Sequence, residues 1–428
     1  MEKGEQILRE VETDLEELRK KVREHRKKQW KRLAIVVGCL VAVFAVFYIV
    51  SQVKTYSKYK VTESMERADT SATKFSVFNG KILKYSNDGA IYTDVTNNVI
   101  WNQSFEMDSP MKAENDTYVA FADVDGQEIY VMDEFGLQGT IHTNMAIKKI
   151  DISKQGIIAV LMQNQRSSYV ALYNIEGEKL AEGGIHMENS GYPMDVAISD
   201  DGKKLAVAIL DVASGSVKTT ISFYDFGTIG QNQIDNLVNT YSYAGSVIPQ
   251  IEYVDDGTLL AFADNGVMIF KGAQIPESVA DVLIPTEIKS VFYEDSHFGL
   301  VILDPDVQNG RKLLVYDLNG SERMGVSLDM NYDDVYFLNN HEICVQNSEQ
   351  CQIYTIHGVK KFESSFETEL YYVMKRLGVR NYTILKEDIT EEIRCKFFSS
   401  TRFEEEPETG ADLKVEEKTG TKEETGEE

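Results

Sequence analysis

Cysteine and proline are both scarce, with 4 and 7 copies in 428 residues. So few cysteines exclude a disulfide-stapled scaffold, and so few prolines exclude a collagen-like chain. Positive charge is in deficit. The 44 lysines and arginines face 69 aspartates and glutamates, for a net charge of −25. Phosphate backbones repel such a surface, which excludes bulk nucleic-acid binding. Catalytic signatures are missing too: there is no Gly-x-Ser-x-Gly, no P-loop, no strand-led Gly-x-Gly-x-x-Gly and no His-Glu-x-x-His. What the chain does have is 43% hydrophobic and 10% aromatic residues. That is enough to fill a large core, so global disorder is excluded as well.

Leu33 to Val50 is an 18-residue run without one charged side chain, and Ser51–Val53 extends it to 21. At about 1.5 Å per residue this helix crosses a hydrocarbon layer of about 30 Å, with Leu33, Val36, Leu40, Phe44, Phe47 and Val50 among its lipid-facing residues. Residues 19–32 hold nine lysines and arginines against Glu24 alone, while residues 51–60 hold only Lys54, Lys58 and Lys60. By the positive-inside rule, Arg26, Lys27, Lys28, Lys31 and Arg32 keep the N-terminus in the cytoplasm and place the remainder outside. The run is longer than a signal-peptide core and lies far from residue 1, so an uncleaved anchor is expected rather than a leader. Upstream, Leu8, Val11, Leu15, Leu18, Val22 and His25 follow 3-4-3-4-3 spacing, a short heptad seam. It fits either a solvated basic amphipathic helix lying on anionic headgroups or a homodimer contact.

Beyond residue 54 the chain repeats. An alternating apolar run that ends in a tight polar turn recurs eight times, with turn positions Gly80, Asp116, Gly156, Gly202, Gly257, Gly299, Asn340 and Gly378. The intervals average about 43 residues. Between these copies lies a second unit of strand, Asp or Asn, Gly and strand, as in YVMDEFG at 130–136, ALYNIEG at 171–177 and LLVYDLNG at 313–320. Four short strands per repeat make an all-β domain, a β-propeller, with eight blades favoured and seven also compatible. The last repeat is short, so residues 60–73 or 75–78 are expected to complete its blade. The expected organisation is a cytoplasmic helix at 1–32, a transmembrane helix at 33–53, a juxtamembrane linker at 54–73, the propeller at 74–403 and a disordered acidic tail at 404–428.

The phrase KILKYSNDGAIYTDVTNNVIWNQSF at 81–105 resembles quinoprotein-type (PQQ-like, WD40-like) propeller repeats, and Trp101 resembles their blade-docking tryptophan. The whole layout, over about residues 30–400, is similar to an uncharacterised family of single-pass propeller proteins of anaerobic Gram-positive bacteria. That resemblance implies a fold and a cell-membrane location with an extracytoplasmic domain. It implies no activity and no cofactor.

The remaining candidates for chemistry are few. The six histidines (25, 142, 186, 297, 341 and 357) show no metal-ligand spacing, and turn and edge positions account for His341 and His357. Asp123-Val-Asp125-Gly126 and Asp304-Pro-Asp306 start like calcium loops, but neither continues to the terminal glutamate. Cys344 and Cys351 flank an Asn347–Ser348 turn that would set them opposite each other, either bridged or as two buried small side chains. No catalytic, cofactor or metal residue is assigned. The expected role is a membrane-tethered interaction scaffold of the bacterial envelope, with envelope protein partners. The alternative is an envelope receptor or enzyme whose funnel takes carbohydrates or cations. Two or three carboxylates converging on the channel would favour that alternative.

Overall fold

The structure is a computed structural model that describes residues 2–67, 73–164, 167–186, 191–212 and 215–397. The charge-free run and the basic segment before it form one continuous helix, Glu2–Val53. The side chains of the heptad seam (Leu8, Val11, Leu15, Leu18, Val22) and the whole acidic tail lie outside the described residues. Beyond the helix the described residues form strands, turns and loops, with two single-turn 3-10 helices at Gly230–Asn232 and Ile234–Asn236. Eight four-stranded antiparallel sheets follow one another, each a simple meander except the last. We number the blades one (74–104), two (110–142), three (146–186), four (192–244), five (250–283), six (288–328), seven (334–365) and eight (370–395).

Blade eight supplies only three strands from the C-terminal end of the domain. Its outer strand is Tyr59–Glu66, paired antiparallel to Ile389–Cys395. Residues 59–66, placed in the expected linker but also within the first of the two segments offered as the closing strand (60–73), therefore close the propeller, and Lys74–Phe78 is the inner strand of blade one rather than the closing strand. Closure joins both ends of the domain in one sheet and completes the ring.

Each sheet buries its two faces against its neighbours. The apolar core accordingly divides into eight clusters, one per seam. The seam between blades eight and one is thin, with Ile82, Met374 and Leu385 buried and Phe75 stacked on Tyr371 at 5.3 Å. Trp101 docks blade one on blade two: it is 8% exposed, and its indole N–H donates to the Asp133 carbonyl at 2.9 Å.

The recurring Asp/Asn–Gly unit has a local cause. The side-chain oxygen caps its own turn by accepting backbone N–H groups ahead of it. Asp133 accepts from Phe135 (2.7 Å) and Gly136 (3.1 Å), and Asp317 from Asn319 and Ser321 (both 2.9 Å). The calcium-like stretches are likewise occupied by donors of the protein. Asp123 accepts from Ser109 N–H at 2.7 Å, and Asp304 from the Ser327 hydroxyl at 2.6 Å.

Two sequence assignments need correction. Gly299 is not a turn residue; it lies inside the strand His297–Leu303, and a Cβ there would sit 2.0 Å from the Phe292 ring. Glycine is required because an aromatic ring from the adjacent strand covers it. Cys344 and Cys351 are not opposite each other, because the turn lies one residue later than expected. Cys344 pairs with Ile353, and Cys351 with Gln346. Both are free and fully buried, in one cluster with Cys395. Burial pushes the Cys395 thiol up to about 12. Cys344, Cys351 and Cys395 should therefore stay unmodified by a thiol reagent in the native protein and react only on denaturation. Modification of any of the three before unfolding, read by peptide mass, would contradict this packing.

Candidate functional site in the central channel

The first strand of each blade is innermost and faces the axis. Three successive inner strands carry an acidic residue between apolar neighbours: Asp151 in blade three, Asp195 in blade four and Glu252 in blade five. Each reaches to the next blade. Asp151 accepts the Ile198 N–H at 2.7 Å, and Asp195 accepts the Ile251 N–H at 2.9 Å. Glu252 takes a hydrogen bond from the Tyr293 hydroxyl of blade six and another from Gln250 Nε2 at 3.2 Å. The carboxylates thus latch four inner strands in sequence. The nearby cation is Lys149, whose Nζ lies 3.8 Å from Asp195.

Three acids and one ammonium in a confined space cannot all ionise cheaply. Burial raises Asp151 to about 7, opposed by the N–H groups of Ile198 and Ile152 and reinforced by Asp195. Burial raises Asp195 to about 6 against the pull of Lys149. Burial, and then Asp151, raise Glu252 to about 8. Asp151 and Glu252 keep some water-accessible surface, as channel-wall residues do. Protein surrounds them laterally, and it is this enclosure that disfavours their charge. Each of the three carboxyls is thereby held above its ordinary range, and the group forms a hydrogen-bonding wall. The other side of the ring is also polar, with Tyr336 and Tyr372 stacked at 4.5 Å and Ser76 donating to Glu114 at 3.4 Å.

The residues singled out from the sequence lie elsewhere. Leu33, Val36, Leu40, Phe44, Phe47 and Val50 are on the helix and 44–74% exposed, and Phe47 near its end stacks on Phe397 at 5.0 Å. Arg26, Lys27, Lys28, Lys31 and Arg32 are exposed on the preceding turns. The helix does not end in a loose tether. Ser51 and Tyr56 are buried, the Tyr56 hydroxyl donates to the Ser51 carbonyl at 3.0 Å, and the Tyr56 backbone pairs with the outer strand of blade seven next to Phe362. This junction lies on the face formed by the hairpins that join first to second strands.

The architecture defines a class: an eight-bladed β-propeller preceded by one helix long and apolar enough to cross a membrane. The chain belongs to a family of unknown function (DUF5711), whose profile matches residues 52–395. No curated protein matches. Among solved structures it is similar to the C-terminal WD40 domain of Sif2, at 11% identity over 80% of this chain and 99% of that one, with a TM-score of 0.53. A second similarity is to BamB from Moraxella catarrhalis, at 10% identity over 79% and 100%, with a TM-score of 0.41. The likeness to Sif2 is one of fold.

Proposed function

We propose that this chain is a membrane-tethered, non-enzymatic propeller platform of the bacterial cell envelope, with its N-terminus in the cytoplasm, its propeller outside and a protein partner bound by rim loops. The observation that carries this reading is the helix. Within the helical segment His25–Ser51, the most apolar 18-residue window has a mean hydropathy of 3.0, and none of the residues in that window is buried. Water does not stabilise so long an uncovered apolar surface, whereas lipid does. The pinned junction turns the first-to-second-strand face toward the bilayer. The opposite loops, on rigid strands, are left free for a partner. The exposed basic residues before the apolar run supply the orientation and a contact with anionic headgroups. The short heptad seam supplies parallel self-association.

A second reading is favoured by Asp151, Asp195 and Glu252: the channel as a receptor for a cation or a polyhydroxyl ligand, for which clustered protonatable oxygens are suitable donors and acceptors.

The test uses the full chain in bacterial membranes. It should resist carbonate extraction with its N-terminal residues still attached, and the propeller should be cut by protease added to intact cells. Release by carbonate, loss of the helix from the mature chain or protection of the propeller would each overturn the tether. Crosslinking with and without residues 1–25 reads the dimer separately, and equal yields would remove it.

A further inference from the structure

Outside the channel, two hairpins of adjacent blades bring together a donor set that sequence spacing hides. Glu294, Ser296 and His297 belong to the first hairpin of blade six, closed by the Glu294 N–H on the His297 carbonyl at 2.9 Å. His341 belongs to the first hairpin of blade seven, closed by its own N–H on the Leu338 carbonyl at 3.0 Å. His297 and His341 are 44 residues apart, close to one repeat, so ring closure sets equivalent loops side by side.

The side chains converge. His341 Nδ1 lies 2.7 Å and His297 Nδ1 3.0 Å from the same Glu294 oxygen, and the Ser296 hydroxyl lies 2.9 Å from that oxygen and from His297 Nδ1. The three ligand atoms fall within 4.8 Å of one another. Glu294 and His297 are largely buried, with side chains 14% and 15% exposed, whereas His341 is half open to solvent at 51%. This is not a nucleophilic triad. Ser296 and Glu294 both address the same imidazole nitrogen of His297, so no relay through opposite ring atoms exists.

We propose that Glu294, His297 and His341 form a site for a divalent transition metal of the zinc type that bridges blades six and seven. Two imidazoles and one carboxylate are borderline donors, which favour zinc and its late first-row neighbours over magnesium or calcium. Metal–ligand distances of about 2.0–2.2 Å require only that the two Nδ1–H groups give up their protons and the donors open slightly around the ion. The exposed side next to His341 leaves a fourth position for water or for a donor from a bound partner. The ion would staple the seam on the face from which the helix departs.

The experiment uses full-length protein in detergent, stripped with chelator, with Zn2+ as the probe and Co2+ as a spectroscopic stand-in. The wild type is expected to bind Zn2+ with saturation at one equivalent by calorimetry. It should also melt at a higher temperature with Zn2+ than with chelator, because a ligand of the folded state stabilises it. His341→Ala, at a half-exposed turn, should weaken binding by more than about tenfold, the scale reached by losing even an outer-sphere partner. It should also abolish the melting shift and the Co2+ visible bands. Glu294→Gln keeps the size of the side chain and should do the same, which covers the case in which the alanine variant folds poorly. Absence of stoichiometric binding in the wild type, or binding unchanged in both variants, would overturn the site and leave a hydrogen-bonded cluster of purely structural role.

Discussion

Replacing Glu342 by leucine is expected to destabilise the propeller by about 3–5 kcal/mol, the usual result of removing one partner of a buried ion pair. Glu342 is 4% exposed and lies between blades seven and eight. Its carboxylate pairs with Lys361 of blade seven, lies 3.5 Å from Lys375 of blade eight, and accepts the Tyr382 hydroxyl at 2.8 Å. One anion thus serves two buried ammonium groups. Burial drives Lys375 down to about 8 even with Glu342 opposing it. Lys375 has further support, donating to the Val379 carbonyl at 3.0 Å and sitting 4.1 Å from the Tyr382 ring centroid. Neither contact supplies negative charge. Without Glu342, two cations remain in an enclosed site, and their mutual repulsion is added to the cost of desolvating each. The effect should spread to the helix junction, because the Lys361 carbonyl accepts the Tyr56 N–H at 2.8 Å. Glu342→Gln, which still accepts hydrogen bonds, should fall between leucine and wild type. Adding Lys361→Met and Lys375→Met to Glu342→Leu should recover much of the loss, since apolar side chains replace an ion network with little penalty. Urea denaturation of the full chain at pH 7 reads all three. A leucine variant within about 1 kcal/mol of wild type would mean that Glu342 is not the counter-ion of this seam.

The propeller was legible because its signals are local. Alternation, Asx-capped turns and a regular period are each set by residues a few positions apart, and the charge-free run depends on no tertiary context at all. The closing strand was half legible: a short last repeat demands a partner, but Tyr59–Glu66 alternates too weakly to be distinguished from a linker. Gly299 was misread because a glycine tolerated at a turn and a glycine demanded by the Phe292 ring look the same in sequence. The histidine cluster was invisible for a different reason. Its ligands come from neighbouring repeats, and no spacing rule written for one helix or one hairpin covers a contact made only when the ring closes. The channel acids did leave a trace. Asp151 and Glu252 stand five residues before the turn glycines Gly156 and Gly257, and Asp195 seven before Gly202, each with an apolar or aromatic residue on either side in its strand. An acidic residue in that setting in three consecutive repeats marks an inner strand facing a common axis.

Those three acids should also reverse the usual pH dependence of a protein rich in carboxylates. A carboxyl whose folded pKa is raised binds its proton more tightly folded than unfolded, so it contributes stability at low pH that is lost as pH rises toward the folded value. Asp195 is 6% exposed and shifts from 3.8 to about 6, which corresponds to roughly 3 kcal/mol lost between about pH 4 and pH 7. Asp151 and Glu252 act in the same direction and extend the window to about 8. The acids with lowered values, Asp94, Asp201, Asp304, Asp317 and Asp329, oppose this only below their ordinary range near pH 4. Lys375, lowered to about 8, responds only above that pH. The propeller should therefore melt at a higher temperature at pH 5 than at pH 8. Asp195→Asn preserves the oxygen that accepts the Ile251 N–H while removing the titration, so it should flatten the slope and surpass the wild type at pH 8. A wild type that gains stability steadily from pH 5 to pH 8, or an Asp195→Asn variant with an unchanged slope, would mean that these carboxyls are hydrated and ionised. The channel would then present a fixed cluster of negative charge rather than a wall of shared protons, and the two states select different ligands: a multivalent cation in the first case, a neutral polyhydroxyl molecule in the second.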